Sequence, residues 1–281
     1  MPNALVTGTS SGFGLATVER LAHLGWSVIA AQRDPSTARN EAPYDTLAID
    51  LRDGASIARM GTVVDALDGG LDALVSNAGF GIVGPLEEVS DAEFRDQLEV
   101  NLVGTMALCR ACLPALRRAG GVIVQISSVG GQVGSSGLGA YNASKFGLEG
   151  ASEALAEEVG SQGVRVVLVE PGAFRTSIAA KSPAIRGRGG SGQYEALWQE
   201  LDDFLGYLDA DAEDATIAID AIVAAATVPG APFRLPVGSG IGSSIREKVA
   251  KVLADVDAAE AFLASNRDYV RGDGPAPDLR Q

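Results

Sequence analysis

This chain is poor in the residues that most often do chemistry unaided. Among its 281 residues are one histidine, two cysteines, and 22 cationic side chains against 36 acidic ones. His23 lies in VERLAHLGW near the end of a helical pattern, the place of a helix-terminal or surface side chain. With no second histidine, a Ser-His-Asp arrangement is excluded. Cys109 and Cys112 form a C-x-x-C, but inside the helical stretch TMALCRACLPALRR. A single pair lacks the further ligands of a zinc site, so both read as small buried side chains. The acidic residues are scattered along helical patterns, as solvated faces are, and no metal site is expected. A net charge of −14 repels phosphodiester backbones and anionic lipid, which argues against nucleic-acid or membrane-surface binding. No apolar run approaches membrane-spanning length. MPNALVTG runs straight into a strand pattern with no signal peptide. A reduced, cytoplasmic protein is the expectation.

What the chain does have is an alternation of strands and helices. Ala4 to Val6 is a short buried strand; Gly8, Gly12 and Gly14 follow; then comes a helix whose apolar face includes Leu15, Val18, Leu21 and Ala22. A second apolar run, Val28 to Ala31, completes a βαβ unit. Glycines at such a turn let the backbone approach a pyrophosphate, and the helix N-terminus offers unpaired N–H donors. The spacing is G-x-x-x-G-x-G rather than the commoner G-x-G-x-x-G, and many glycine-rich turns only solve a steric problem. Further β-branched runs recur at LAID, LDALVSNAG, GGVIVQISS and GVRVVLVEPG, with FRLPVG as a late seventh. Between amphipathic helices, these require a parallel sheet covered on both faces. The fold class expected is therefore α/β, a Rossmann-type doubly wound sheet. With no repeat, low-complexity block or linker, one domain over residues 1–281 is expected.

Tyr141 and Lys145 stand four residues apart in AYNASKFG, so on a helix they share one face. A cation beside a phenol favours the phenolate and moves its pKa toward neutrality. A helix with a Tyr and a Lys on one side is also an ordinary coincidence, and the pair alone decides nothing. More weight comes from six motifs in order: TGTSSGFG from Thr7, NAG from Asn77, Asn101, ISS ending at Ser128, YNASK from Tyr141 and PGAFRT from Pro171. On these, over about residues 3 to 178, the chain resembles the short-chain dehydrogenase/reductase family. NAGFGIVGPLEE is similar to bacterial members that resemble the 17β-hydroxysteroid dehydrogenases.

The resemblance implies an oxidoreductase acting on a CH-OH/C=O group with NAD(P). Tyr141 would be the general acid/base, and Lys145 would hold the nicotinamide ribose while lowering the Tyr141 pKa. Ser128 would hydrogen-bond the substrate oxygen, and Asn101 would bend its helix and hold a water that relays protons from Lys145. The dinucleotide would lie along Thr7, Gly8, Ser10, Ser11, Gly12, Phe13 and Gly14. Asp50 and Leu51 would meet the adenine, Asn77, Ala78 and Gly79 the adenosine ribose, and Pro171, Gly172 and Thr176 the carboxamide. Taken singly, Asp50 reads as a cap or turn residue and Pro-Gly as a routine turn. Where relatives that prefer NAD carry Asp, this chain has Gln32 followed by Arg33. A guanidinium suits a 2′-phosphate, with Ser10 and Ser11 as further donors, so NADP(H) is expected to be preferred and NAD(H) accepted. Asp34 works against this if it pairs with Arg33.

The substrate side is less specified. Residues 1–176 read as the cofactor-binding and catalytic core, 177–210 as a lid, and 211–281 as C-terminal helices, last strand and tail. The lid carries Tyr194, Trp198, Phe204 and Tyr207, which either wall a pocket or pin the helix to the core. Phe80, Ile82, Val83, Val133 and Leu138 are further candidate liners. A small hydrophobic ketone or secondary alcohol is the expected substrate. The family pairs subunits through helices near 91–118 and 140–160, so a homodimer or homotetramer is expected, with small and apolar residues such as Ala151, Ala154 and Leu155 exposed there. A β-ketoacyl carrier-protein reductase shares the catalytic motifs. Its acidic partner would need a local basic patch, for which Arg117, Arg118, Arg186 and Arg188 could serve. A non-catalytic dinucleotide sensor has little need of Asn101, Ser128, Tyr141 and Lys145 together. Enoyl reductases of related fold use a wider Tyr-to-Lys spacing. The RGD near the C-terminus reads as chance.

Overall fold

The structure is a computed structural model in which residues 1–38, 42–175 and 192–271 are described. Thr176, Arg186, Arg188, the first part of the expected lid, and all but the arginine of the RGD lie outside them. Two compact units are present, Met1–Ile241 and Gly242–Gln281.

The first unit contains the whole sheet. Its strands are β1 (Asn3–Thr7), β2 (Ser27–Gln32), β3 (Asp45–Ala48), β4 (Ala73–Ser76), β5 (Val122–Ile126), β6 (Arg165–Pro171) and β7 (Arg234–Val237). Every neighbouring pair is parallel, in the order β3-β2-β1-β4-β5-β6-β7. The fold class expected from the sequence is the one observed. Strand side chains alternate between faces. Leu5, Leu74 and Ile123 join a core roofed by α2 (Gly54–Asp65), α4 (Thr105–Ala119) and α5 (Gly139–Gly160). Ala4, Val6, Val75 and Val124 join a second core under α1 (Gly12–His23) and α7 (Thr216–Thr227).

Local chemistry sets the helix starts. The Asp53 carboxylate accepts from Ala55 N–H to cap α2, and Ser90 and Glu93 form a reciprocal capping box at α3 (Asp91–Leu98). Helix α3 runs through a π-helical segment, Glu99–Gly104, into α4. The resulting Asp91–Ala119 helix is long and apolar enough to cross a membrane by length and composition, and 44% of an apolar 18-residue stretch of it is buried. This corrects the sequence reading, in which no apolar run approached membrane-spanning length. Leu108, Cys109, Cys112 and Leu116 on this helix are buried in the core, as the cysteines were expected to be. Leu155 also corrects an expectation: at 5% exposed it faces the sheet, while Ala154 is exposed.

After β6 the described chain resumes before α6 (Glu195–Ala210). The second unit is helical: α8 (Ile241–Ser265) continues into it, followed by α9 (Arg267–Arg271).

Candidate functional site

The strand order turns at β1 and β4, which lie side by side while their crossovers run in opposite directions. The crevice beyond their carboxyl ends is where open α/β sheets bind ligands. Thr7 and Asn77 close its floor. The Thr7 hydroxyl accepts from the N–H groups of Asn77 and Ala78, each at 3.0 Å, and Asn77 Nδ2 donates to the carbonyls of Thr7 and Gly8. Gly8 has φ +70°, and a Cβ there would sit 2.7 Å from Ala78 Cα. A Cβ on Gly14 would sit 2.4 Å from the Gly8 carbonyl oxygen. These two positions admit only glycine if the turn is to lie this close to β4.

Above this floor opens a cavity of about 850 Å³. One end is lined by the turn residues Gly8, Ser10, Ser11, Gly12 and Phe13, with Ala78 and Gly79 opposite. Arg33, Asp50, Leu51 and Arg52 border the same end. Gln32 is buried and tied on both sides of its amide. Its Oε1 accepts from the Thr9 hydroxyl at 3.2 Å, and its Nε2 donates to the Asp34 carbonyl at 2.8 Å and to the Thr37 hydroxyl at 3.0 Å. The Asp34 carboxylate accepts from the Ser36 hydroxyl and N–H, which hold it below the usual carboxylate range. It therefore serves its own turn instead of neutralising the exposed Arg33 beside it.

A clamp not foreseen from the sequence closes the adjoining rim. Arg52 grips Asp96 with two parallel bonds, Nε to Oδ1 at 2.5 Å and Nη2 to Oδ2 at 2.8 Å, and lies 5.7 Å from the Phe80 ring centre. That bond holds the Asp96 carboxyl below its ordinary range. Forty-four residues separate the partners, so no local pattern could have announced them.

Asn101 lies in the π-helical turn, which is the helix distortion expected of it. Its side chain is 1% exposed and does not line the cavity. Nδ2 donates to the Phe80 carbonyl (2.9 Å) and the Ser144 hydroxyl (3.1 Å), while Oδ1 accepts from Phe80 N–H (3.2 Å). The amide is thus a clasp between the loop after β4 and helix α5. Thr7 and Gly14 likewise shape the cavity without lining it.

At the far end, Ser128, Tyr141 and Lys145 all line the cavity, with Pro171 and Gly172. Ser128 lies two residues past β5 in extended backbone, its hydroxyl accepting from Gly130 N–H at 3.1 Å. Lys145 is 7% exposed; its Nζ donates to the Ile126 carbonyl at 2.7 Å and lies 5.8 Å from the Tyr141 ring centre. Burial pushes the ammonium down to about 8, against the pull of Glu149. Burial also pushes the Tyr141 phenol above its ordinary value, against a lowering hydrogen bond with Ser128. The sequence reading expected Lys145 to bring the phenol down; burial instead raises it, and the ammonium directs its bond to a backbone carbonyl.

Behind Lys145 the sequence reading missed a cluster. Glu149, one helical turn on, and Glu170 of β6 are 4% and 0% exposed. Arg234 of β7 bonds to Glu149, Glu153 and Glu170, while Gln132 Nε2 donates to Glu149 at 3.0 Å and Glu170 at 3.1 Å. Burial pushes Glu170 up despite its bond from Arg234. Burial opposes the Arg234 charge as well, but its bonds to Glu170 and Glu149 prevail and hold the guanidinium above its ordinary value. The available signal was a charged residue inside an apolar strand, in RVVLVEP and again in RLPV.

Helix α6 does both things expected of the lid. Phe204, Leu205 and Leu208 line the cavity. The Tyr194 hydroxyl donates to Glu87 at 2.5 Å and Trp198 Nε1 to Glu88 at 3.1 Å, pinning the start of the helix to the loop after β4. Tyr207 is exposed. Of the other candidate liners, Phe80, Val83 and Leu138 reach the cavity, whereas Ile82 is buried elsewhere and Val133 does not line it. Arg117 and Arg118 are bonded to Gln162 and Asp65.

A family profile described as short chain dehydrogenase matches residues 2–186. A 3-ketodihydrosphingosine reductase of Bacteroides thetaiotaomicron is 40% identical over 173 residues, 61% of this chain and 64% of that protein. The chain thus spans a little under two thirds of that relative's length. A short-chain dehydrogenase from Streptomyces avermitilis superposes with a TM-score of 0.76 at 33% identity, covering 98% of this chain and 100% of that one. A metagenomic short-chain oxidoreductase in complex with NADP superposes with a TM-score of 0.57 at 38% identity, over 62% of this chain and 83% of the other.

Proposed function

Because this chain belongs to the short-chain dehydrogenase family, we propose that it is an NADP(H)-preferring oxidoreductase interconverting a hydrophobic ketone and its secondary alcohol. The observation that carries this reading is that Ser128, Tyr141 and Lys145 line one end of a cavity whose other end is the glycine turn. The donor set fits a dinucleotide: small residues where a Cβ would collide, hydroxyls at Ser10 and Ser11, and Arg33 at the rim. A bound nicotinamide supplies or accepts the hydride.

The chain's own residues handle orientation and the proton. In reduction Tyr141 gives its phenolic proton to the ketone oxygen, and the Ser128 hydroxyl hydrogen-bonds that oxygen as charge grows on it. Burial that keeps the phenol protonated at neutral pH favours the form reduction needs. Lys145, with a pKa of about 8, is mainly cationic at neutral pH and stabilises negative charge on the phenol as its proton leaves. Replacement of that proton by a relay past Asn101 belongs to the same proposal. Val83, Leu138, Phe204, Leu205 and Leu208 supply apolar walls. A relative named for a ketone supports the substrate class. Gln32 in place of a carboxylate, and the commitment of Asp34 to Ser36, support a 2′-phosphate at Arg33.

The test is titration with NADPH and NADH by fluorescence, then ketone-dependent loss of reduced-nicotinamide absorbance. Tighter NADPH binding and turnover of hydrophobic ketones are expected; failure to bind either cofactor would overturn the proposal. Tyr141→Phe should lower turnover by about 10²- to 10⁴-fold with cofactor affinity kept. Arg33→Ala should weaken NADPH by roughly tenfold and leave NADH nearly unchanged; equal losses would remove the phosphate argument.

A further inference from the structure

Helix α8 carries an exposed apolar stripe. None of its 25 residues is buried, yet it carries Val249, Val252, Leu253, Val256, Phe262 and Leu263 at 44–66% exposed. Ile245, Val249, Val252, Val256, Ala259 and Leu263 are separated by alternating steps of four and three residues, the spacing of a coiled-coil seam. A contiguous exposed stripe of this kind marks an interaction surface.

The charges beside the stripe identify the occupant. From Ile241 to Val252 the charged residues are Arg246, Glu247, Lys248 and Lys251; from Leu253 to Ser265 they are Asp255, Asp257 and Glu260. A helix dipole favours the reverse order, anions at the N-terminus and cations at the C-terminus. This order therefore does not serve the isolated helix. It serves an antiparallel neighbour of the same sequence, whose acidic half would face the basic half.

One register satisfies all of it. With Val249 layered on Val252 of a second copy, Val256 layers on Ile245. The residues flanking that seam pair Lys248 with Asp255 and Arg246 with Glu260, and Leu253 approaches Leu253 across the axis. Each contact then occurs twice, as two-fold symmetry requires. We propose that α8 is a self-association surface, pairing antiparallel with α8 of a second copy of this chain.

Light scattering on the full chain, with the following variants, tests this. Val252→Asp with Val256→Asp should halve the native mass. Lys248→Glu should weaken association by roughly tenfold, since both symmetric pairs become repulsive. Adding Asp255→Lys to Lys248→Glu should restore it, because the swapped pairs attract again. This rescue separates pairing from misfolding. Leu253→Cys should link to itself through a short bismaleimide while Ala254→Cys, on the outer face, should not; Cys109 and Cys112 are buried and silent. An unchanged mass in the double aspartate variant overturns the proposal, as does a charge swap that fails to rescue. Linkage through Val252→Cys instead of Leu253→Cys would mean parallel pairing and overturn it equally.

Discussion

Lys145 and Arg234 both answer to Glu149, and they are treated in opposite ways. Lys145 is buried with a backbone carbonyl as its hydrogen-bond partner, and its pKa falls to about 8. Arg234 is held by three carboxylates and remains charged at any working pH. The first arrangement leaves a cation poised to titrate; the second fixes one in place. Tight neutralisation by carboxylates would make Lys145 stable and useless, whereas too few partners would leave Glu149 and Glu170 as uncompensated buried charges. On the proposed function, the difference separates a group kept for reaction from a group kept for architecture.

Replacement of each cation should divide activity from stability. Lys145→Met is expected to cost about 10²- to 10⁴-fold in turnover while the thermal midpoint holds or rises, because a desolvated ammonium is removed. The sign follows from the pKa: the folded group releases its proton near 8 and the unfolded group near 10.5. Burial of Lys145 therefore opposes folding in full below about pH 8, and stability from this group rises as pH goes from about 8 to 10.5. A pH series of unfolding curves should show the rise in the wild type and not in Lys145→Met. Arg234→Met should do the reverse, losing about 3 kcal/mol of stability in denaturant unfolding while the remaining folded protein still turns over. Comparable turnover loss in both variants would erase the distinction. The smallest effect is expected of Glu149→Gln. Without that carboxylate Lys145 loses its proton more readily, so the alkaline limb of activity should move to lower pH; a limb that stays put would detach Glu149 from Lys145.

The sequence made legible what is local. Strand and helix alternation, the glycine turn, and the spacing of Tyr141 to Lys145 all act over a few residues, and the structure places them as read. Seven parallel strands and the buried cysteines follow from the same short-range patterns. What stayed hidden depends on distance along the chain or on burial. Arg52 meets Asp96, and Arg234 meets Glu170 across 64 residues, through pairing of strands and helices that no window spans. The direction of the Tyr141 shift was misread because charge spacing is visible in a sequence and desolvation is not. The helix near 91–118 was read as a helix, but that it is long and apolar enough to cross a membrane by length and composition was not.

Gln32 has a consequence for how this chain could change partners over evolutionary time. Its amide knots the glycine turn, through Thr9, to the bend that carries Arg33. A carboxylate at this position would bring the acceptor that a ribose hydroxyl wants, yet it has no hydrogens for Asp34 and Thr37, so the bend would come loose in the same step. Cofactor allegiance and loop integrity are inherited together. A lineage moving from one dinucleotide to the other must cross a ridge at this residue, and compensating changes at Thr37 or Asp34 would have to come first.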